Sequence, residues 1–275
     1  KLKFEGEYLN GKRWNGKGYN TNGRIDLEIK EGSGKGKEYN NEGKLEYEGE
    51  FRDGERNGKG KEYNNEGKLI FEGEYINNKR WKVKKYDNKG KLEFEGEYRD
   101  DERNGKGKEY DNDGKLVFEG EYLYDKRCKG KEYNIEGKLE FEGEYKNGER
   151  YGKGKEYDKE GNLVFEGEYL NDKRLNGKIK EYFNNGKLKF EAEYIYGKIK
   201  GKGREYYENG KVKFEGEYLD GKRKGKGKEY YDNGELEFEG MYLDDKKRKG
   251  RGYTKEGLEE YEMRKGKTFY INYCE

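Results

Sequence analysis

From residue 92 to residue 98 the chain alternates: Leu92, Phe94, Gly96 and Tyr98 share one parity, and Glu93, Glu95 and Glu97 take the other. A period of two is the signature of a strand covered on one face and wet on the other. The polar run from Arg99 to Gly105, closed by glycine, predicts a turn. Lys106 to Tyr110 then reads as a second, shorter strand, and Asp111-Asn112-Asp113-Gly114 as a connecting turn. The stretch from Phe94 to Leu116 is therefore a β-hairpin with a linker.

The hairpin recurs. Its aromatic or aliphatic anchor stands at Phe4, Leu27, Tyr47, Phe71, Phe94, Phe118, Phe141, Phe165, Phe190, Phe214, Phe238 and Tyr261, about 23–24 residues apart. Self-similarity at such a period predicts supersecondary units stacked on their neighbours and no single central core. The expected fold class is all-β, one array over residues 1–275 of about eleven repeats, with a partial repeat at 261–275. Some units depart from the pattern. The second, Leu27 to Gly34, has lost turn residues and predicts a tightened hairpin. In the unit from Phe71, Trp81-Lys82-Val83-Lys84-Lys85-Tyr86 replaces Gly-Lys-Gly-Lys-Glu-Tyr and predicts a bulge or distortion. Ala192 replaces a strand glycine, Met241 replaces a glutamate, and Thr268 to Tyr273 reads as a closing strand.

Glycine weakens a strand, so its presence in nearly every Phe-Glu-Gly-Glu-Tyr needs a reason. An aromatic ring from a neighbouring strand lying flat over bare backbone supplies one, and repetition builds an aromatic row. The second-strand glycines, such as Gly105 and Gly107, would do the same against the next repeat. Phe71, Tyr75, Phe94, Tyr98, Phe118, Tyr122, Phe141, Tyr145, Phe165 and Tyr169 are the candidate aromatic groove. On the other face, Glu119 and Glu121 should neighbour Lys129 and Lys131 in an ion-pair ladder, each pair contributing little. Arginine recurs nine residues after the anchor, at Arg13, Arg56, Arg80, Arg103, Arg127, Arg150, Arg174 and Arg223, with Lys247 substituting and Ile199 the exception. Two readings stand for this file. One is structural, with guanidinium stacked on tyrosine or bonded to turn carbonyls; the other is a binding edge for anionic lipid heads or an acidic partner. That edge would be densest late in the chain, at Lys222-Arg223-Lys224, Lys226, Lys228, Lys246-Lys247-Arg248-Lys249 and Arg251.

Composition alone, 28% hydrophobic and 45% charged, would suggest a disordered polymer. Placing 29 Tyr and 12 Phe at fixed points of a period argues for a fold, and the absence of proline suits an unbroken hydrogen-bond ladder. With 63 Lys and Arg against 61 Asp and Glu, interleaved, no bulk field draws the chain to nucleic acid, so none is expected as a partner. Cys128 and Cys274 have no disulfide or zinc spacing, which suits a reducing, cytoplasmic setting. No run of about 18 apolar residues occurs. The start Lys1-Leu2-Lys3-Phe4 falls in mid-pattern without a signal peptide, as expected of an excerpt or processed piece.

No histidine occurs, and the only hydroxyls besides tyrosine are Thr21, Ser33, Thr254 and Thr268. That removes serine triads, histidine acid–base work and histidine metal sites. Gly266-Lys267-Thr268 imitates the end of a phosphate loop, but Tyr261 stands where that motif needs glycine. Carboxylates at even intervals read as surface, so no catalytic residue, metal or cofactor is expected.

The elements Phe94-Glu95-Gly96-Glu97-Tyr98, Asn104-Gly105-Lys106-Gly107 and Gly114 together resemble the MORN repeat (membrane occupation and recognition nexus) along the whole chain. Tyrosine where that family often has tryptophan, the Gly-Lys-Leu joints and the damaged units depart from it. The joints and Glu205-Tyr206-Tyr207 are similar to variant repeats of bacterial antitoxin-like proteins in the same superfamily. The resemblance implies an elongated, single-layer antiparallel sheet of hairpins, rod- or trough-shaped, roughly 110 Å long at about 4.8 Å per strand. It also implies a scaffold in cytoskeletal or membrane-linked assemblies, self-association and phosphoinositide binding. The expected function is thus a non-enzymatic scaffold for protein partners that self-associates through its open edges. The alternatives are an anionic-lipid surface binder, peripheral at a membrane, and an immunity-like module of a larger protein.

Overall fold

The computed structural model describes residues 3–271. These form twenty-four strands, β1 to β24 in chain order, with no helix among the described residues. Contacts divide the chain into two units, residues 1–137 and 138–275, holding twelve strands each. Each unit is an open antiparallel sheet of tandem hairpins that does not close into a barrel.

In unit 1, β9 (Leu92–Arg99) and β10 (Glu102–Tyr110) show how one hairpin is made. Asp100 and Asp101 form the whole turn, both left-handed at φ 52° and 67°. This is the two-residue turn whose twist matches that of the flanking strands. The longer turn expected over Arg99–Gly105 does not form, because Arg99 pairs with Glu102 and Tyr98 with Arg103. The register then slips at a bulge and resumes at Gly96 with Gly107. Gly105 lies in that bulge at φ +100°, and a Cβ on it would stand 2.2 Å from the Glu97 carboxylate. That carboxylate accepts the Lys106 N–H at 3.2 Å. In the linker, the Asp111 carboxylate accepts the Asp113 and Lys115 N–H groups at 2.8 and 2.9 Å, which is why linkers so often open with Asn or Asp.

Across the middle of the sheet glycine faces glycine. Gly107 pairs with Gly96 and Gly120, and Gly120 with Gly130, through β11 (Leu116–Leu123) and β12 (Lys126–Tyr133). On this floor lies the anchor ring. A Cβ on Gly120 would be 2.8 Å from the tip of Phe118, and one on Gly130 only 2.4 Å away. The ring over a first-strand glycine such as Gly120 comes from its own strand, two residues earlier, and the same ring covers the second-strand glycine Gly130 from the neighbouring strand, as the sequence suggested. The next repeat adds a tyrosine edge: Tyr122 Cε2 would lie 3.2 Å from a Cβ on Gly107. Phe94 meets Tyr98 and Tyr122 edge-to-face at 5.6 and 5.2 Å.

Two natural exceptions test this packing. Val83 faces Gly73 where glycine would normally sit, and Ala192 replaces a strand glycine. In these repeats the anchor rings rise: Phe71 is 9% exposed and Phe190 is only half-buried, while Phe118, Phe141, Phe165, Phe214 and Phe238 are fully buried. The register slip in the Phe71 hairpin falls between Glu74 and Tyr75, and the Phe118 hairpin slips at the equivalent point. Ring displacement is thus what distinguishes that repeat. The second repeat, β3 (Ile25–Lys30) with β4 (Ser33–Tyr39), is a tightened hairpin that turns at Glu31–Gly32 without a bulge.

In unit 2 the closing strand is β24 (Lys267–Tyr270), paired with β23 (Glu259–Arg264). Asn272, Tyr273 and Cys274 lie outside the described residues, as do Lys1 and Leu2. Cys128 is a free thiol.

Candidate functional site

The ten rings named as an aromatic groove do not form one. They are at most 9% exposed, locked between the glycine floor and a layer of charge above, and so form part of the core, with Tyr47, Phe214, Tyr218, Phe238 and Tyr242 as further members.

The charged layer is the arginine file. The guanidinium of Arg127 lies 4.2 Å from the Phe118 ring, that of Arg80 3.7 Å from Phe71, that of Arg150 4.3 Å from Phe141 and that of Arg223 4.1 Å from Phe214. Seven arginines of the file reach a glutamate at the end of a second strand. Arg13 and Arg56 both bind Glu38 at 2.8 Å, Arg80 binds Glu62 at 2.6 Å, and Arg174 binds Glu156 at 2.8 Å. Arg103 and Arg127 share Glu109. Arg223 holds Glu205 and Glu229 at 2.7 and 2.9 Å, and Lys247 joins Glu229 at 2.7 Å. Burial pushes the Glu156, Glu205 and Glu229 carboxyls up, but bonds from Arg174, from Arg223 and from Lys247 respectively outweigh it and hold all three below the ordinary value. Arg103 also donates to the Asp125 carbonyl of the next turn at 2.7 Å. Charge-assisted contacts of this kind bind each repeat to the next.

Among the candidate basic edge, therefore, Arg13, Arg56, Arg80, Arg103, Arg127, Arg174, Arg223 and Lys247 carry internal ion pairs, and Arg150 covers a ring. Lys224, Lys246, Arg248 and Lys249 are exposed, and no side-chain ion pair is described for them.

The opposite face of each sheet is open. In unit 1 it forms a groove of about 1730 Å³ lined by Glu-Gly-Glu and Lys-Gly-Lys triplets, such as Glu95 to Glu97 and Lys106 to Lys108. Unit 2 has its own groove of about 900 Å³, from Lys178 to Gly250. Glu119 and Glu121 stand opposite Lys131 and Lys129, as the alternation predicted. Sequence reasoning missed a second tyrosine file on this face. Tyr110, Tyr133 and Tyr157 close the second strands and donate to Glu95, Glu119 and Glu142 at 2.6, 2.6 and 2.9 Å. The signal was the tyrosine that precedes each linker. Also unremarked was an aliphatic position just before each of several turns in unit 2, Leu170, Ile195, Leu219 and Leu243.

Among the described residues no cluster of His, Cys, Asp or Glu is set to hold a metal ion. Matches to known families are consistent with this geometry. The MORN repeat family matches residues 47–68, 94–115 and 214–235, and the MORN repeat variant family matches 33–53, 150–171, 175–196 and 199–220. Together they cover just over half of the chain. The chain belongs to the MORN-repeat family. MORN repeats are known as repeat scaffolds, generally without catalysis. No curated protein matches this MORN chain. A chain of a mutant Photorhabdus luminescens Tc holotoxin pore is similar over 90% of this chain and 14% of its own length, at 10% identity and a TM-score of 0.18. A likeness so slight bears no weight.

Proposed function

We propose that this MORN protein is a non-enzymatic scaffold whose charged grooves hold extended segments of partner proteins. The carrying observation is the groove of unit 1: about 1730 Å³ exceeds the roughly 300–1,000 Å³ of a small-molecule pocket. Its side chains alternate in sign at strand spacing, which suits a polypeptide bearing both charges better than a compact ligand. The aromatic face is occupied by its own arginine–glutamate layer, and this leaves the groove as the surface that chemistry can reach.

The test is site-specific photo-crosslinking in the native cells. A photoreactive residue at Lys108 or Lys131, both in the unit 1 groove, should yield discrete protein adducts. The same group at Ile135, 80% exposed in a linker, should not. Equal yields from groove and linker would defeat the proposal.

A further inference from the structure

Within unit 2, one position of the repeat breaks its rule only near the end, as Lys30 does in the tightened second repeat of unit 1. The second glutamate of the first strand recurs as Glu144, Glu168, Glu193 and Glu217; its next two occupants are Met241 and Arg264. In the regular repeats this glutamate separates two lysines, as Glu121 does between Lys106 and Lys129. Met241 instead stands opposite Lys226 on one side and Lys249 on the other, through β20 (Lys222–Tyr230), β21 (Leu236–Leu243) and β22 (Lys246–Tyr253). Two carboxylates are missing from the row and one cation has been added. Lys226 keeps Glu217, whose carboxylate accepts its backbone N–H at 3.3 Å, but both lysines lack the carboxylate at position 241 that the regular repeats place between them.

The locus is also apolar at its centre. Met241 is 40% exposed and Leu243, two residues on and on the same face, is 38% exposed. An apolar side chain between two cations has no purpose in the hairpin itself, since the glutamate found elsewhere pairs better with its neighbours. Lys226, Met241 and Lys249 line the unit 2 groove.

We infer that this part of the groove docks an acidic segment of a partner protein, one carboxylate seated between Lys226 and Lys249 and an aliphatic side chain resting on Met241 and Leu243. Resting on the scaffold reading, the inference adds the partner's chemistry and its place. Charge complementarity selects the occupant. A flat bilayer does not enter a groove, and its closely spaced anionic headgroups, like a nucleic acid backbone, would meet the neighbouring Glu217 and Glu239. Carboxylates spaced along a polypeptide avoid those glutamates while an apolar residue covers the thioether.

The experiment is fluorescence anisotropy of the whole chain with a dye-labelled peptide of about twelve residues in which Glu and Leu are separated by Ser. Wild type should bind at about 50 mM salt and release the peptide at about 500 mM. Met241→Glu restores the residue of the other repeats, so the fold is kept, and binding should weaken about tenfold or more. Met241→Leu should bind like wild type, Lys226→Gln should weaken, and a peptide with Lys in place of Glu should not bind. Absence of peptide binding by wild type, or indifference to Met241→Glu, overturns the inference. So does binding to phosphatidylserine vesicles that Met241→Glu abolishes, which would give the site to a membrane. Groove crosslinks at Lys108 that persist alongside any of these failures would leave the scaffold reading standing.

Discussion

Replacing Gly120 with valine tests the central packing device. Gly120 has ordinary extended backbone, so the substitution brings no conformational strain of its own. A Cβ there would stand 2.2 Å from the Lys129 carbonyl oxygen, 2.7 Å from Gly130 Cα and 2.8 Å from Phe118 Cζ. The first two are backbone atoms of the paired strand and cannot swing aside, so either the strands part or the ring lifts. Phe71, raised over Val83, shows how far a ring lifts, to 9% exposure. For a ring of about 200 Å² that re-exposes about 18 Å², or about 0.5 kcal/mol. Overpacking strain of about 1–3 kcal/mol dominates, giving a total of about 1.5–3.5 kcal/mol. Urea unfolding followed by circular dichroism measures the loss, and hydrogen exchange across β11 and β12 places it. Glu119→Gln is the control. Its side chain lies on the other face and accepts the Tyr133 hydroxyl at 2.6 Å, a bond the amide oxygen retains, so the change should be within about 0.5 kcal/mol. Equal losses from the two substitutions would refute the ring-on-glycine account.

Gly114→Ala provides a contrast: with φ at +78° and nothing within 4 Å of a new Cβ, it should cost about 1 kcal/mol of left-handed strain without disturbing a ring, read by the same unfolding curves. Arg127→Ala removes donors from part-buried Glu109 and uncovers Phe118, and should cost about 1–3 kcal/mol. A double-mutant cycle with Glu109→Ala should show positive coupling; strict additivity would remove the pair from the account. Glu156, Glu205 and Glu229 titrate lower folded than unfolded, so their stabilisation is complete above the unfolded value of about 4.3 and vanishes as pH falls through the folded values. Glu205→Gln should flatten the acid limb of stability against pH. Tyr98, Tyr110, Tyr157 and Tyr230 are pushed up to about 12, mainly by burial. Their contribution is full below about pH 10 and is lost as pH climbs towards their folded values, so unfolding midpoints should drop there as tyrosinate absorbance grows.

Much of the fold was written in the order of residues. The parity of Leu92, Phe94, Gly96 and Tyr98 announces the strand, and the recurrence of that pattern announces the array, because a hairpin with one apolar face must bury it on its neighbours. The turn at Asp100–Asp101 was harder to see, since neither residue is glycine and the left-handed pair is set by how β9 and β10 twist together. The arginine file was visible as a spacing but not as a role. Whether Arg127 faces solvent or Phe118 depends on the bulge that shifts register between Glu121 and Tyr122.

By itself the sequence determined what repeats: strands, glycine floor, anchor rings, alternating charge and the family these compose. Period and parity are local properties, and a local pattern specifies local structure. Only the tertiary structure decided which face is closed and which is open, because that depends on what neighbouring repeats place above each ring. The rings expected to offer a groove are sealed by arginine and glutamate from adjacent hairpins, and the groove lies among the glutamates and lysines on the other side. Met241 carries the same lesson, since its substitution for glutamate is plain in the chain and its consequence appears only when register sets it between Lys226 and Lys249.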